Sequence, residues 1–386
     1  MTRAGLYLHV PFCAALCDYC TFVRGPAEPD LMRRYISALE HEIRSGGAGA
    51  AGGPPAADTV YFGGGTPSLL DPDEVARLVG ACREVFDLPD DAEVTLEANP
   101  ETVDEQHLAA FRQAGVTRLS LGVQSFVDDE LERLGRIHTV ARARAAVAAA
   151  RRAGFHNVSL DLIMWLPEQS LDDWLVSVEA LAALEPEHAS LYLLDLHVDT
   201  PIGERMAGCG WTQAPDDVAA EMYLCGMERL ERAGYRQYEI SNLARPGRES
   251  RHNLKYWTDG EWRGFGAGAH STLDGVRWKN VLDTAEYIDR IEGGIGAATD
   301  WQVLAERRRF EDAMMMGLRL TAGVDLAQVE RRYGVEVWRT YGSRLAPFIE
   351  AGLLVREAGR LHLTRPGMLL ANDVISTFVE TDSTVE

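Results

Sequence analysis

Apolar residues fall into short runs along the first half of the chain, each followed by a longer stretch where they recur every three or four positions. The short runs predict β-strands at Leu6–Val10, Thr59–Phe62, Glu93–Ala98, Arg118–Gly122, Asn157–Ile163 and His188–Leu194. The periodic stretches predict helices over Leu31–Arg44, Asp73–Phe86, Glu105–Ala114, Ala141–Arg152 and Leu171–Leu184. Strands and helices that alternate in this way predict a parallel sheet with helices packed outside it. Both a flat doubly wound sheet and a barrel satisfy that order. Gly46–Pro55 is a run of small residues and reads as a loop.

The pattern changes near Trp301. A helix is predicted over Arg307–Leu320 and carries the patch Met314-Met315-Met316, read as helix core. Gly323-Val324-Asp325 opens a second helix with a capping aspartate, and Pro347–Ala351 marks a third. The segment from Leu353 to Thr364 reads as a hairpin with a glycine turn. Three helices and a hairpin predict a small winged-helix-like α+β domain over 301–386, behind an α/β domain over 1–240 and a connecting region over 241–300.

Composition narrows the function classes. The 386 residues suffice for one large domain and a small one, and 46% hydrophobic content supports a sizeable core. No apolar run approaches a membrane span of about 18–20 residues. The 38 basic and 59 acidic residues give a formal charge of −21, and the winged-helix-like segment has no basic stripe. Both argue against nucleic acid as a partner. Nothing at the N-terminus reads as secretory, so a cytoplasmic protein is expected.

The densest chemistry lies just past the first strand, in Cys13-Ala14-Ala15-Leu16-Cys17-Asp18-Tyr19-Cys20. Pro11 ends the strand because it has no N–H for a ladder. The spacing C-x3-C-x2-C suits a loop around a polynuclear iron site. A four-iron cluster normally takes four thiolates, so three leave one iron open to a ligand. Zinc would want a fourth ligand, and none stands at ligand spacing nearby. Cys82, Cys209 and Cys225 are scattered and read as core or partly exposed thiols.

This motif, with Tyr19 before its last cysteine, resembles the radical S-adenosylmethionine (SAM) superfamily. The resemblance implies a partial, TIM-like (β/α)6 barrel open on one side. It implies a [4Fe-4S] cluster on Cys13, Cys17 and Cys20. It also implies SAM chelating the open iron and cleaving to a 5′-deoxyadenosyl radical. Further segments carry the likeness: Gly63-Gly64-Gly65-Thr66, Thr95-Leu96-Glu97, Gly122-Val123-Gln124, Leu134-Gly135-Arg136 and Leu160-Asp161-Leu162. In the family's terms Gly64, Gly65 and Thr66 meet the SAM amino group. Glu97 and Asp161 meet ribose or amine, Gln124 meets ribose, and Arg136 pairs with the carboxylate. Tyr7 and Tyr19 match further SAM contacts.

Within the superfamily the chain is similar to two related groups, the oxygen-independent coproporphyrinogen III oxidases and the HemW-type heme chaperones. The oxidases carry a fourth cysteine two residues after the third, where this chain has Phe22, and a longer segment before the cluster, where this chain has twelve residues. His252-Asn253-Leu254-Lys255-Tyr256-Trp257 matches the H-N-x-x-Y-W signature of the chaperones. The resemblance therefore implies heme as cargo, delivery to respiratory or heme-storage hemoproteins, and a homodimer. His252 is the candidate heme ligand, with Asn253 orienting it, Tyr256 and Trp257 offering faces for a porphyrin, and His270 as second choice. SAM-dependent oxidative decarboxylation of coproporphyrinogen, a methyltransferase or cyclopropanase, and a binding protein with a purely structural cluster are the alternatives. Two departures stand out. Thr21 replaces an acidic residue, and Trp165 stands where the family has glycine and is expected to narrow the cavity mouth.

Overall fold

The computed structural model describes residues 3–46, 54–197 and 200–379. Residues 47–53 of the loop read at Gly46–Pro55 lie outside the described residues. The six strands form in the expected order: β1 Ala4–Val10, β2 Ala57–Gly64, β3 Glu93–Ala98, β4 Arg118–Gln124, β5 Val158–Met164 and β6 His188–Leu193. All neighbours in this series pair in parallel, β1 with β2 through to β5 with β6. The helices between them are α1 Pro29–Ser45, α2 Pro72–Val85, α3 Glu105–Gln113, α4 Asp128–Arg133, α5 Val140–Arg152 and α6 Leu171–Ala183.

Alternation along the strands decides what each face meets. Val60, Phe62, Val94, Leu96, Leu119, Leu121, Leu160 and Leu162 are buried in the main core. The positions between them are polar: Thr59, Thr95, Ser120, Ser159 and Ser190 are buried, with Arg118 and His188. Register aligns these polar positions across the sheet, Glu97 beside Ser120, Ser120 beside Ser159, and Asp161 beside Ser190. A period of two sends one set outward to the helices and the other into the barrel. Burial of the outward set, about 25 cal/mol per Å² of apolar surface, holds the layers together.

The barrel does not close. Trp262–Phe265 adds a further parallel strand beside β1, and antiparallel strands extend that side to Ala298–Val303. On the other side Asn242–Ala244 pairs antiparallel with β6, and Arg236–Gln237 ends the sheet. The fold is thus a partial (β/α)6 barrel in an open, mixed sheet. Helices α7 Pro201–Cys209, α8 Asp216–Arg232, α9 Arg251–Trp257 and α10 Thr284–Glu292 pack around it.

The C-terminal domain carries α11 Glu306–Gly317, α12 Leu326–Tyr333 and α13 Val337–Glu350. Asp325 caps α12 by accepting from Gln328 N at 2.8 Å, as the sequence predicts. The hairpin pairs Leu354–Glu357 with Arg360–Leu363 and turns through Ala358 and Gly359, both at positive φ, the requirement of a type I′ turn. The third helix starts at Val337 rather than Pro347. Pro347 sits inside its last stretch, where a proline reads in sequence as a helix start. Met314 is fully buried and Met315 packs partly buried against the core, while Met316 is half-buried, so only part of the methionine patch is core. Among the described residues no helix is long and apolar enough to cross a membrane.

Candidate functional site

A cavity of about 450 Å³ opens at the C-terminal ends of β2–β6, the end where barrel folds place their chemistry. Cys13, Cys17 and Cys20 line one side of it. Their loop is held from several directions. His9 Nε2 bonds to Val23 O at 2.9 Å, and Arg24 Nη2 donates to Cys17 O at 3.0 Å and Cys20 O at 2.6 Å. Asp18 pairs with Arg205 of α7, and its N–H donates to Leu134 O at 3.3 Å.

All three thiols are free; Cys13 is buried, Cys17 and Cys20 half-buried. Burial raises the Cys13 thiol above its ordinary range, and Thr66 Oγ1, 3.7 Å from its sulfur, works against that rise. Arg136 Nη1 stands 3.3 Å from Cys17 Sγ. Three thiols beside guanidinium groups on one cavity wall fit a cluster that needs several sulfur ligands and nearby positive charge. Among the described residues no three His, Cys, Asp or Glu side chains converge on a single ion.

The strand ends complete the cavity. Gly64, Gly65, Thr66, Glu97, Gln124, Arg136, Asp161 and Tyr19 all line it. Gly64 has φ +115°, and a Cβ there would lie 2.5 Å from the His9 ring, so only glycine fits. Gln124 also has positive φ, +69°, next to a register shift between Gly122 and Gln124. That bulge turns its side chain toward the cavity, an uncommon conformation for a non-glycine residue. The buried Arg136 Nε has no hydrogen-bond partner among the described residues, although Nη2 donates to Gly122 O at 2.7 Å. An unpaired guanidinium N–H beside a cavity fits a carboxylate-bearing ligand such as SAM.

Burial pushes the Glu97 carboxyl up to about 7, against hydrogen bonds from Tyr61 and Gly64 N. Burial also raises Asp161, which accepts from Ser120 and Ser159. A carboxyl whose folded pKa lies above its unfolded value favours folding most while protonated. Its contribution is full below the unfolded pKa and is lost as pH rises through the folded one. For Glu97 the loss runs from about pH 4.5 to about pH 7 and totals at most about 3 kcal/mol. Glu97→Gln is therefore expected to gain melting temperature over wild type across that window and hold a constant gain above it. Paired thermal melts in the absence of ligands, at half-unit pH steps, check this; parallel curves would refute it.

Several expected residues lie elsewhere. Tyr7 does not line the cavity; it lies inside the barrel, its hydroxyl 3.0 Å from His9 Nδ1 and its ring stacked on Tyr61. His252 is 1% exposed, with Nδ1 2.8 Å from Thr59 Oγ1 and Nε2 2.9 Å from Tyr256 Oη. Both ring nitrogens are engaged, and burial drives its pKa down to about 3. This corrects the candidate heme ligand: His252 is a neutral core histidine with no nitrogen open to iron. Tyr256 packs edge-on against Trp262, and Trp257 stacks under Arg319 of the C-terminal domain. The motif thus braces the barrel against that domain. His252→Ala is expected to cost about 3 kcal/mol, because it opens a cavity and orphans two buried hydroxyls. Urea unfolding measures this, and a loss under 1 kcal/mol would contradict it.

His270 is exposed on the strand His270–Leu273 and does not line the cavity. Trp165 has φ +64°, which explains why glycine suits the position, and its Nε1 donates to Ala214 O at 2.7 Å. It does not line the cavity, so the expected narrowing does not occur. Asn253 does reach the cavity instead of serving His252. Sequence reasoning missed Arg118, Ser120, Ser190, Tyr192 and His197, all lining residues. Arg118 is 1% exposed and faces the charges of Glu93 and Asp161. Strand alternation at Arg118-Leu119-Ser120 was the available signal.

Residues 7–181 match the family described as the radical SAM superfamily, and residues 304–370 match the HemN C-terminal domain. The heme chaperone HemW of Bacillus subtilis is 37% identical over 375 residues, covering 97% of this chain and 98% of that protein. The heme chaperone HemW of Mycobacterium tuberculosis is 38% identical, covering 97% of this chain and 94% of the relative. Among solved structures, coproporphyrinogen III oxidase (HemN) of Escherichia coli superposes with a TM-score of 0.85 over 98% of this chain and 90% of that one. At 23% identity that likeness speaks for the fold alone.

Proposed function

The chain belongs to the radical SAM superfamily and, within it, to the HemW family, and we propose that it is a cytoplasmic heme chaperone. It holds a [4Fe-4S] cluster and SAM, binds heme, and passes the heme to an acceptor hemoprotein, respiratory or heme-storing. The observation that carries this reading is convergence. Three thiols and the polar ends of successive strands, far apart in sequence, meet in one cavity.

Each residue then has a part. Cys13, Cys17 and Cys20 are the thiolate ligands of the cluster, and Arg24 and Arg136 balance its charge. The guanidinium of Arg136 receives the carboxylate of SAM. Gly64, Gly65 and Thr66 bring backbone close to its amino group, and Glu97, Gln124 and Asp161 take amine and ribose hydroxyls. Tyr19, packed against Leu134, Ile163 and Leu166, closes the adenine side. When bound, the cluster supplies one-electron reduction of the SAM sulfonium. Phe22 stands where the oxidases carry their fourth cysteine, which favours cargo handling over decarboxylation.

The test is anaerobic reconstitution of the cluster, addition of one equivalent of heme, and gel filtration. Co-eluting heme that then moves to an apo-cytochrome is the expected result. SAM-dependent conversion of coproporphyrinogen to protoporphyrinogen would overturn the reading in favour of an oxidase.

A further inference from the structure

We propose that the mouth of this cavity is the heme site, with His197 as axial ligand to the iron. The inference rests on the chaperone reading and gives its cargo a place.

The cavity is divided by polarity. Between the strands it is lined by the buried Arg118, Ser120 and Ser190, beside Asp161. Phe22 and Leu193, which are 70% and 49% exposed, line it as well. Large apolar side chains held at the surface around a concave opening mark a binding site rather than a solvated edge. A flat, apolar macrocycle suits those exposed side chains. SAM, polar and charged, suits the buried polar lining.

A ligand for iron is exposed in the same lining. Among the described residues His197 is the histidine that lines the cavity. Its side chain is 53% exposed, and its Nε2 is 3.3 Å from Asp195 Oδ2. Thr200 fixes its backbone, donating from N at 3.1 Å and from Oγ1 at 2.6 Å to His197 O. Asp195 thus places a carboxylate beside one ring nitrogen, as carboxylates stand behind many metal-binding histidines. The remaining nitrogen has no partner among the described residues and is left for iron.

The other histidines are poorer candidates. His9, His188 and His252 have both ring nitrogens bonded inside the protein. His138 is buried against Val123 O. The exposed His41, His107, His156 and His270 do not line the cavity, and neither does the half-buried His362, whose ring lies against Glu357 and Leu363 O.

Ferric heme titrated into the reconstituted protein, followed by difference absorption and electron paramagnetic resonance, tests the site. His197→Ala is expected to weaken heme at least tenfold and to change the iron's ligand-field signature. Added imidazole is expected to restore that signature. Iron, sulfide and SAM binding are expected to stay at wild-type levels, which separates a lost ligand from a misfolded loop. Asp195→Asn is expected to shift the signature less, and His270→Ala not at all. If the wild type binds heme and His197→Ala matches it in affinity and signature, the site is refuted and the chaperone reading stands. If the wild type holds no heme, both fall.

Discussion

Cys17→Ala is expected to leave a folded protein with no cluster. Cys17 is half-buried in a surface loop, outside both hydrophobic clusters, so trimming its sulfur opens no core cavity. The expected change in stability is within about 0.5 kcal/mol, the usual range for surface substitutions. The loss of metal is expected to be complete, because two thiolates cannot hold four irons that already lack a fourth ligand. Released Arg136 then faces the cavity with no sulfur beside it. Cys82→Ala makes the opposite control. Cys82 is fully buried in the main core, and burial pushes its thiol up to about 12. It stays a protonated, inert filler, so its loss is expected to cost about 1 kcal/mol and no iron. Iron and sulfide assays with circular dichroism on both variants decide this. Full iron in Cys17→Ala, or none in Cys82→Ala, would refute the assignment of ligands.

The contrast between these two cysteines shows what sequence can and cannot reveal. Spacing places three thiols within eight residues on one loop, and periodicity places Cys82 on the apolar stripe of α2, where it is buried. Strand and helix periods were equally legible, since outward strand positions and helix stripes are apolar at every repeat. The barrel interior was harder. Arg118, Ser120 and Ser190 look like ordinary polar positions until register sets Ser120 beside Glu97 and Ser190 beside Asp161. Contacts of that kind join strands tens of residues apart, and no local pattern encodes them.

His252 failed for a different reason. The motif marks a place where residues are constrained, and motif alone does not say whether by chemistry or by packing. Burial and two hydrogen bonds decide for packing. His197, by contrast, belongs to no motif and follows a strand, and only the cavity draws attention to it. Trp165 combines both lessons: glycine is suited there by backbone conformation, and the indole points to Ala214 rather than the cavity.

Gly65→Ala is expected to damage fold and cluster together, by a route that involves no ligand. A Cβ at Gly65 would lie 2.6 Å from Phe12 O and 2.9 Å from Phe12 N. Both are backbone atoms of the segment that enters the cysteine loop. They cannot swing aside as a flexible side chain would. The same two segments are also stitched together, Gly65 N to Val10 O at 2.8 Å and Thr66 N to Phe12 O at 2.7 Å. One methyl group therefore has to break these bonds or displace Cys13, the residue next to Phe12. Overpacking of this kind costs about 1–3 kcal/mol, and the lost backbone bonds place this site at the upper end. Iron content is expected to fall by more than half even in the fraction that folds, since Cys13 no longer meets the other two thiols. Gly80→Ala supplies the comparison. Gly80 lies within α2, and a Cβ there meets nothing within 4 Å. Alanine favours a helix over glycine by about 1 kcal/mol, so this variant is expected to be more stable than wild type with full iron. Urea melts and iron assays on the pair read both effects. Equal behaviour of the two alanines would mean that the glycine triplet is a turn and not the cradle that fixes the cysteine loop.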